Sequence, residues 1–399
     1  MQRPGAVAVV TAVVALVATG CSSDGGGEAP PWPGMESSSP ARGASPSGSG
    51  SGTGSAAAKD PATPAPPPAK GSVTVESTLT EDLESPWGVT ALPEGDLLVA
   101  SRDRGTIVRV SAKDGKKTEV GEVPGVSPGG EGGLLGLALS PRFASDRQVY
   151  AYLTTQSDNR VVRMRYDERK SAGRRLSAPD TVLRGIPKGV IHNGGRIAFG
   201  PDKMLYIGTG EIGETGLAQD PKSLGGKILR MTPEGEPAPD NPEPGSLVYS
   251  LGHRNVQGLA WDAQGRLWAA EFGQNTWDEL NLVRPGKNYG WPEVEGKGDD
   301  PRYVNPVAQW RTSEASPSGI AWAEGSIWMA GLRGERLWRI PLDGAELSAE
   351  PQPFLQKKHG RLRTVVAAGD SSLWLVTSET DTRGTPKAGD DRILRLRVT

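Results

Sequence analysis

A single cysteine, Cys21, stands in a chain of 399 residues, so no disulfide can form within the monomer and the fold must rest on its own core. Histidine is almost as scarce. His192, His253 and His359 lie far apart, which leaves no cluster with zinc-ligand spacing. Acidic and basic residues nearly balance, 47 against 45, and a net charge of −2 offers no basic excess for duplex nucleic acid. No recognisable Ser-His-Asp grouping appears. Helical periodicity is nearly absent. The apolar run at 6–19 has fourteen residues, short of the ~20 that a spanning helix needs.

That short run, preceded by Arg3, has the form of a secretory signal. It ends in "ATGC", which resembles a bacterial lipobox, so a signal peptide is expected over 1–20 and lipidation at Cys21. Residues 22–71 are mostly Ser, Gly, Pro and Ala with one aromatic, Trp32. Too little apolar area is available there to offset the entropy of ordering, so 21–71 reads as a disordered tether. A flexible coil of that length spans roughly 40 Å. The expectation is an extracytoplasmic protein that meets the membrane only through its lipid anchor, or failing lipidation a secreted one.

From about residue 72 the composition changes, and ten of the eleven tryptophans lie in this part. One pattern returns six times: a glycine-marked strand, a tight turn, a second apolar strand, a polar loop, then a strand mixing arginine with apolar residues. "PWGVTALPEGDLLVASRDRGTIVRV" (86–110) is the first copy and "PSGIAWAEGSIWMAGLRGERLWRIPLDG" (317–344) the fifth. Short alternating strands joined by turns are antiparallel meanders. Six such units, each able to hide its apolar faces only against a neighbour, predict an all-β, six-bladed propeller of four-stranded blades over 72–399. An early strand, "SVTVEST" (72–78), is expected to complete the last blade and close the ring.

A propeller does not name a function, so the polar residues at recurring loop positions carry the next step. "GTGEIG" (208–213) satisfies GxGxxG but leads into no helix, which makes its glycines turn residues. Glu131, His192, Arg254 with Asn255, and Arg361 with Arg363 fall just before or at the first strand of successive units. Glu211, Gly273 with Gln274, and Arg333 fall between second and third strands. In an antiparallel blade those two places lie on the same side, so the residues can converge on one mouth of the channel. Each alone has an ordinary structural reading, as a solvated arginine or a turn-capping histidine. Together they would provide a neutral base beside a carboxylate, guanidinium groups suited to anions, and carbonyls suited to a hard cation. A non-catalytic binding propeller and a calcium-dependent lactonase-type hydrolase remain open on this reading.

The stretches "GGEGGLLGLALSPRF", "HNGGRIAFGPDKMLYIGTGE", "SLGHRNVQGLAWD", "AEFGQNTWDELNLVRPGKNYGWP" and "GRLRTVVA" resemble the soluble quinoprotein sugar dehydrogenases. These glucose/sorbosone-type enzymes use pyrroloquinoline quinone (PQQ), and their motifs occur here in the same order over 80–399. The resemblance implies a six-bladed propeller that oxidises an aldose at its anomeric carbon and passes electrons to a further acceptor. It implies His192 as the base that takes the hydroxyl proton while hydride passes to the quinone, with Glu211 orienting it and Arg254 polarising the quinone oxygens. Asn255, Arg333, Arg361 and Arg363 would hold the cofactor, with Glu131 facing it or the substrate. Calcium (Ca2+) would bind the carbonyls of Gly273 and Gln274. Four positions depart from the family pattern. Glu131 replaces glutamine and adds a negative charge, Glu211 replaces aspartate, Arg333 often-seen lysine, and Gln274 proline.

Overall fold

The computed structural model describes residues 67–399. The expected signal peptide, Cys21 and nearly all of the tether lie outside the described residues. Six sheets follow one another along the chain. Blade 1 comprises Pro86–Ala91, Leu97–Ser101, Thr106–Val110 and Lys117–Glu122. Blade 2 comprises Leu134–Leu139, Gln148–Thr154, Asn159–Arg165 and Asp180–Ile186. Blade 3 is built from Ile197–Phe199, Leu205–Gly208, Lys227–Met231 and Val248–Leu251. Blade 4 is built from Val256–Trp261, Leu267–Glu271, Trp277–Val283 and Ala308–Arg311. Blade 5 has Pro317–Ala323, Ser326–Gly331 and Arg336–Asp343, and two short pieces, Glu346–Leu347 and Gln352–Phe354, share its outer edge. Blade 6 takes Leu362–Gly369, Ser372–Thr377 and Ile393–Val398 from the end of the chain, and Val73–Thr80 from its beginning. The early strand pairs antiparallel from Val73↔Val398 to Thr80↔Ile393, which closes the ring.

The reason these runs look so uniformly apolar is that each blade is covered on both faces. Successive side chains of a strand point to opposite sides. Leu98 and Ala100 therefore join a core with blade 2, while Leu97 and Val99 join one with blade 6. The same split sends Trp268 and Ala270 toward blade 5, and Leu267 and Ala269 toward blade 3. Six apolar clusters result, one for each pair of neighbouring blades. Helix among the described residues is confined to Phe143–Asp146 and a 3-10 turn at Thr215–Ala218.

At the start of the propeller, residues 68–70 are exposed, yet two hydrogen bonds tie this stretch to blade 5. Arg339, fully buried, donates through Nη2 to Pro68 O at 2.9 Å, and Gly71 N donates to Gln352 Oε1 at 3.0 Å. A buried guanidinium needs acceptors, and the incoming chain supplies one.

Candidate active site

First strands start, and second strands end, at the same mouth of the ring. In blade 3 the chain reaches that mouth through "HNGGR" in an unusual backbone. His192 has φ +53°, Gly194 +61° and Gly195 +109°. A Cβ on Gly194 would stand 2.5 Å from Gly208 O and from Thr209 backbone atoms, so only glycine lets the two segments close. For His192 a left-handed backbone costs on the order of 1–3 kcal/mol and persists only where neighbours hold it. They do. Glu131 Oε2 accepts His192 N at 2.9 Å, and Glu211 Oε1 lies 2.5 Å from His192 Nδ1. Glu211 is 1% exposed, and its other carboxylate oxygen has no partner. A carboxylate only accepts, so Nδ1 carries the hydrogen, and in the neutral ring Nε2 is the acceptor that faces the cavity side.

His192 faces a cavity of about 530 Å³. Six arginines line it, Arg102, Arg254, Arg333, Arg361, Arg363 and Arg383, against a single lining carboxylate, Glu131. Asp381 organises three of them from behind. Its Oδ2 accepts Arg363 Nη2 at 2.6 Å and Arg361 Nη2 at 3.1 Å, and its backbone oxygen accepts Arg102 Nη2 at 3.1 Å. Burial alone would raise the Asp381 carboxyl, but Arg363 and Arg361 outweigh it and hold it below its ordinary value. Burial pushes Arg363 down to about 10 against the pull of Asp381. Beneath lies Arg196, buried without a carboxylate, 4.4 Å over the Trp87 ring and pushed by burial to about 9. Arg254 lies 5.4 Å over Trp291 and donates through Nη1 to Phe272 O at 3.4 Å, while its buried Nε has no partner.

Beside Arg254 the chain turns at 273–277. Asp278 Oδ1 accepts Gly273 N at 2.9 Å. Glu295 Oε1 accepts the next four amides, those of Gln274 (2.7 Å), Asn275 (3.0 Å), Thr276 (2.9 Å) and Trp277 (3.1 Å). Burial works to raise Glu295, yet these amides hold its carboxyl below the ordinary value. Asp278 is deeper, and burial pushes it up to about 6. In each trans peptide the C=O points opposite to the N–H. With the amides gathered on carboxylates, the carbonyls of Gly273 and Gln274 face away from Glu295. No group of three or more His, Cys, Asp or Glu side chains placed to hold a metal occurs among the described residues. Among the described residues the turn offers a cation the backbone oxygens of Gly273 and Gln274.

With this geometry in place, relatives can be compared. The profile of the family described as Glucose / Sorbosone dehydrogenase matches residues 83–387. The chain belongs to that family. A solved structure of the PQQ-bound form of aldose sugar dehydrogenase from Streptomyces coelicolor superposes with a TM-score of 0.83 at 72% identity, covering 84% of this chain and 100% of that one. Aldose sugar dehydrogenase YliI of Escherichia coli is 29% identical over 343 residues, 78% of this chain and 91% of that protein. Quinoprotein glucose dehydrogenase B of Acinetobacter calcoaceticus is 32% identical over 268 residues, 59% of this chain. The match spans only 56% of the length of the Acinetobacter enzyme.

In this glucose/sorbosone dehydrogenase family member, eight of the ten residues singled out from sequence line the cavity: Glu131, His192, Arg254, Asn255, Gly273, Arg333, Arg361 and Arg363. Glu211 stands behind His192, and Gln274 is exposed on the turn outside the lining. Asn255 spends its Oδ1 on Gly194 N at 2.9 Å, so its amide nitrogen is the end left for a ligand. The negative charge that Glu131 adds is paired: Glu131 Oε1 accepts Arg383 Nη2 at 2.8 Å. Arg102, Asp381 and Arg383 were missed. A signal existed, because all three follow the second strand of blade 1 or blade 6, the same stage at which Glu211 and Arg333 were found. His253 is structural: it bonds Ser250 Oγ and Glu271 Oε2, each at 2.8 Å, and stacks on Tyr289.

Proposed function

We propose that the protein is a PQQ- and calcium-dependent aldose dehydrogenase, oxidising the anomeric carbon of a sugar to the lactone. One observation carries the reading: a carboxylate-paired imidazole and six guanidinium groups meet in one cavity of about 530 Å³. The residues fit the cofactor, a planar quinone bearing three carboxylates, since arginine pairs with carboxylates bidentately and stacks on flat rings. The unpartnered Arg254 Nε suits an acceptor on that quinone. Carbonyls at Gly273 and Gln274 suit calcium, which favours oxygen ligands. When bound, the quinone accepts hydride and calcium withdraws electron density from it.

The chain's own residues do the rest. His192 Nε2 takes the proton of the anomeric hydroxyl, assistance typically worth ~10²–10⁴-fold. Glu211 holds the ring and offsets its new charge. Arg254 would hold the cofactor and stabilise negative charge developing on it. Arg333, Arg361, Arg363, Asn255 and Arg102 would hold it from the other sides of the cavity. Glu131 fixes His192 through its amide. The enzyme works outside the cytoplasm, tethered through Cys21, and hands electrons to a separate acceptor. Support for this location is the signal-like pattern at 1–20. A lactonase would gather several carboxylates around one metal, which the lining does not offer, and a mere binding module has no use for the His192–Glu211 pair.

The test is to add PQQ and calcium to the protein and follow dye reduction across a panel of aldoses. Absence of both sugar-dependent reduction and PQQ binding would overturn the reading. His192→Ala is expected to keep cofactor affinity and lose turnover.

A further inference from the structure

We infer that Glu295 is the positioning residue of the cation-binding turn, setting the carbonyls of Gly273 and Gln274 for their ligand. The inference rests on the calcium assignment proposed above. Five consecutive amides, 273 to 277, end on just two carboxylates, and four of them converge on the single oxygen Glu295 Oε1. Loops on a protein surface ordinarily leave such amides to water. Here they are withdrawn from it, which fixes the opposite ends of the same peptides.

The geometry is tight from both sides. A Cβ at Gly273 would stand 1.9 Å from Trp277 O and 2.7 Å from Glu295 Oε1, so glycine is what allows the turn to wrap the carboxylate. Glu295 is itself anchored, because its neighbour Gly296 donates N–H to Glu279 Oε1 at 2.7 Å. Glu279 belongs to the buried strand Trp277–Val283, so the carboxylate is referenced to blade 4 and not to a loose loop. Asp278, on the same strand, bonds Gly273 N on one side and Ser316 N at 2.6 Å on the other. The cation's carbonyl ligands thus inherit their placement from the sheet. A preset ligand pair spares the cation the entropy of ordering a loop. The carboxylate also keeps a negative charge behind the turn.

Calcium is titrated into the chelator-treated protein at fixed PQQ, following the thermal unfolding midpoint. In the unsubstituted chain the midpoint rises saturably. Glu295→Gln, which keeps the shape but offers the four amides a neutral acceptor, is expected to move the half-saturating calcium concentration up ~10-fold or more. Its melting point without calcium and PQQ is measured alongside, so that a general loss of stability is separated from the loss of calcium affinity. Glu293→Gln removes a charge from the same connection at a side chain that holds no amide, and should titrate like the unsubstituted protein. Should Glu295→Gln fail to fold, Glu295→Asp, one methylene short of the amides, is read by the same titration. If Glu295→Gln titrates at the original concentration, or shifts no more than Glu293→Gln, the positioning role is wrong while the cofactor reading stands. No calcium response in the unsubstituted chain overturns both.

Discussion

Replacing Glu211 by Gln tests the proposed chemistry most directly. Glu211 Oε1 sits 2.5 Å from His192 Nδ1 and the carboxylate is 1% exposed. Gln has the same shape and can still accept the Nδ1 hydrogen, so the fold and the ring should remain in place. What disappears is the negative charge that accompanies the imidazole as it takes a proton. At ~4 Å between charge centres and an effective dielectric constant of ~20, that attraction is worth ~4 kcal/mol. With each 1.36 kcal/mol equal to a factor of ten, the expected loss in kcat is about 10³-fold. PQQ affinity should hold, because Glu211 does not line the cavity. The assay is steady-state dye reduction at saturating PQQ and calcium, beside a direct titration of PQQ binding. A loss of less than tenfold, or an equal loss of PQQ affinity, would refute the role given to Glu211.

Gly194→Ala should destabilise the protein by more than ~1 kcal/mol, since the left-handed backbone alone carries that cost and the new methyl meets the blade 3 backbone at 2.5 Å; an unchanged denaturant midpoint would contradict the packing. Asp381 is held below its ordinary value in the fold, so its contribution is present above the unfolded carboxylate value of ~4 and is lost as pH falls below it. Asp381→Asn, which leaves Arg361 and Arg363 without their shared partner, should cost ~3–5 kcal/mol at neutral pH, and the gap from the unsubstituted protein should narrow on acidification. Urea unfolding at several pH values measures both effects. Deleting the chain through residue 80 removes the strand that seals blade 6. The thermal midpoint should drop, and an unaltered one would mean that ring closure contributes little.

Much of the fold was legible because its causes are local. A blade covered on both faces needs apolar runs bounded by turns, and such runs repeat six times along the chain. The outer strands were harder to read. Lys117–Glu122 is half exposed and carries no apolar run, so only pairing with Thr106–Val110 identifies it as a strand. In the site, the repeat position found His192, Glu211 and the arginine pair of blade 6, since equivalent loop positions reach the same mouth. Applied to blades 1 and 6, the same rule would have found Arg102, Asp381 and Arg383. Glu295 has no counterpart in other repeats and could not be found that way.

By itself the sequence determined the number of blades, the strand that closes them and the mouth on which the polar residues fall, because these follow from side-chain alternation and turn chemistry within short stretches. Only the closed ring decided the electrostatics. Glu131 meets Arg383 across 252 residues, and Asp381 draws in Arg102 from the other end of the propeller. Charges pair by distance in space, and no periodicity along the chain encodes which side chains of neighbouring blades will meet.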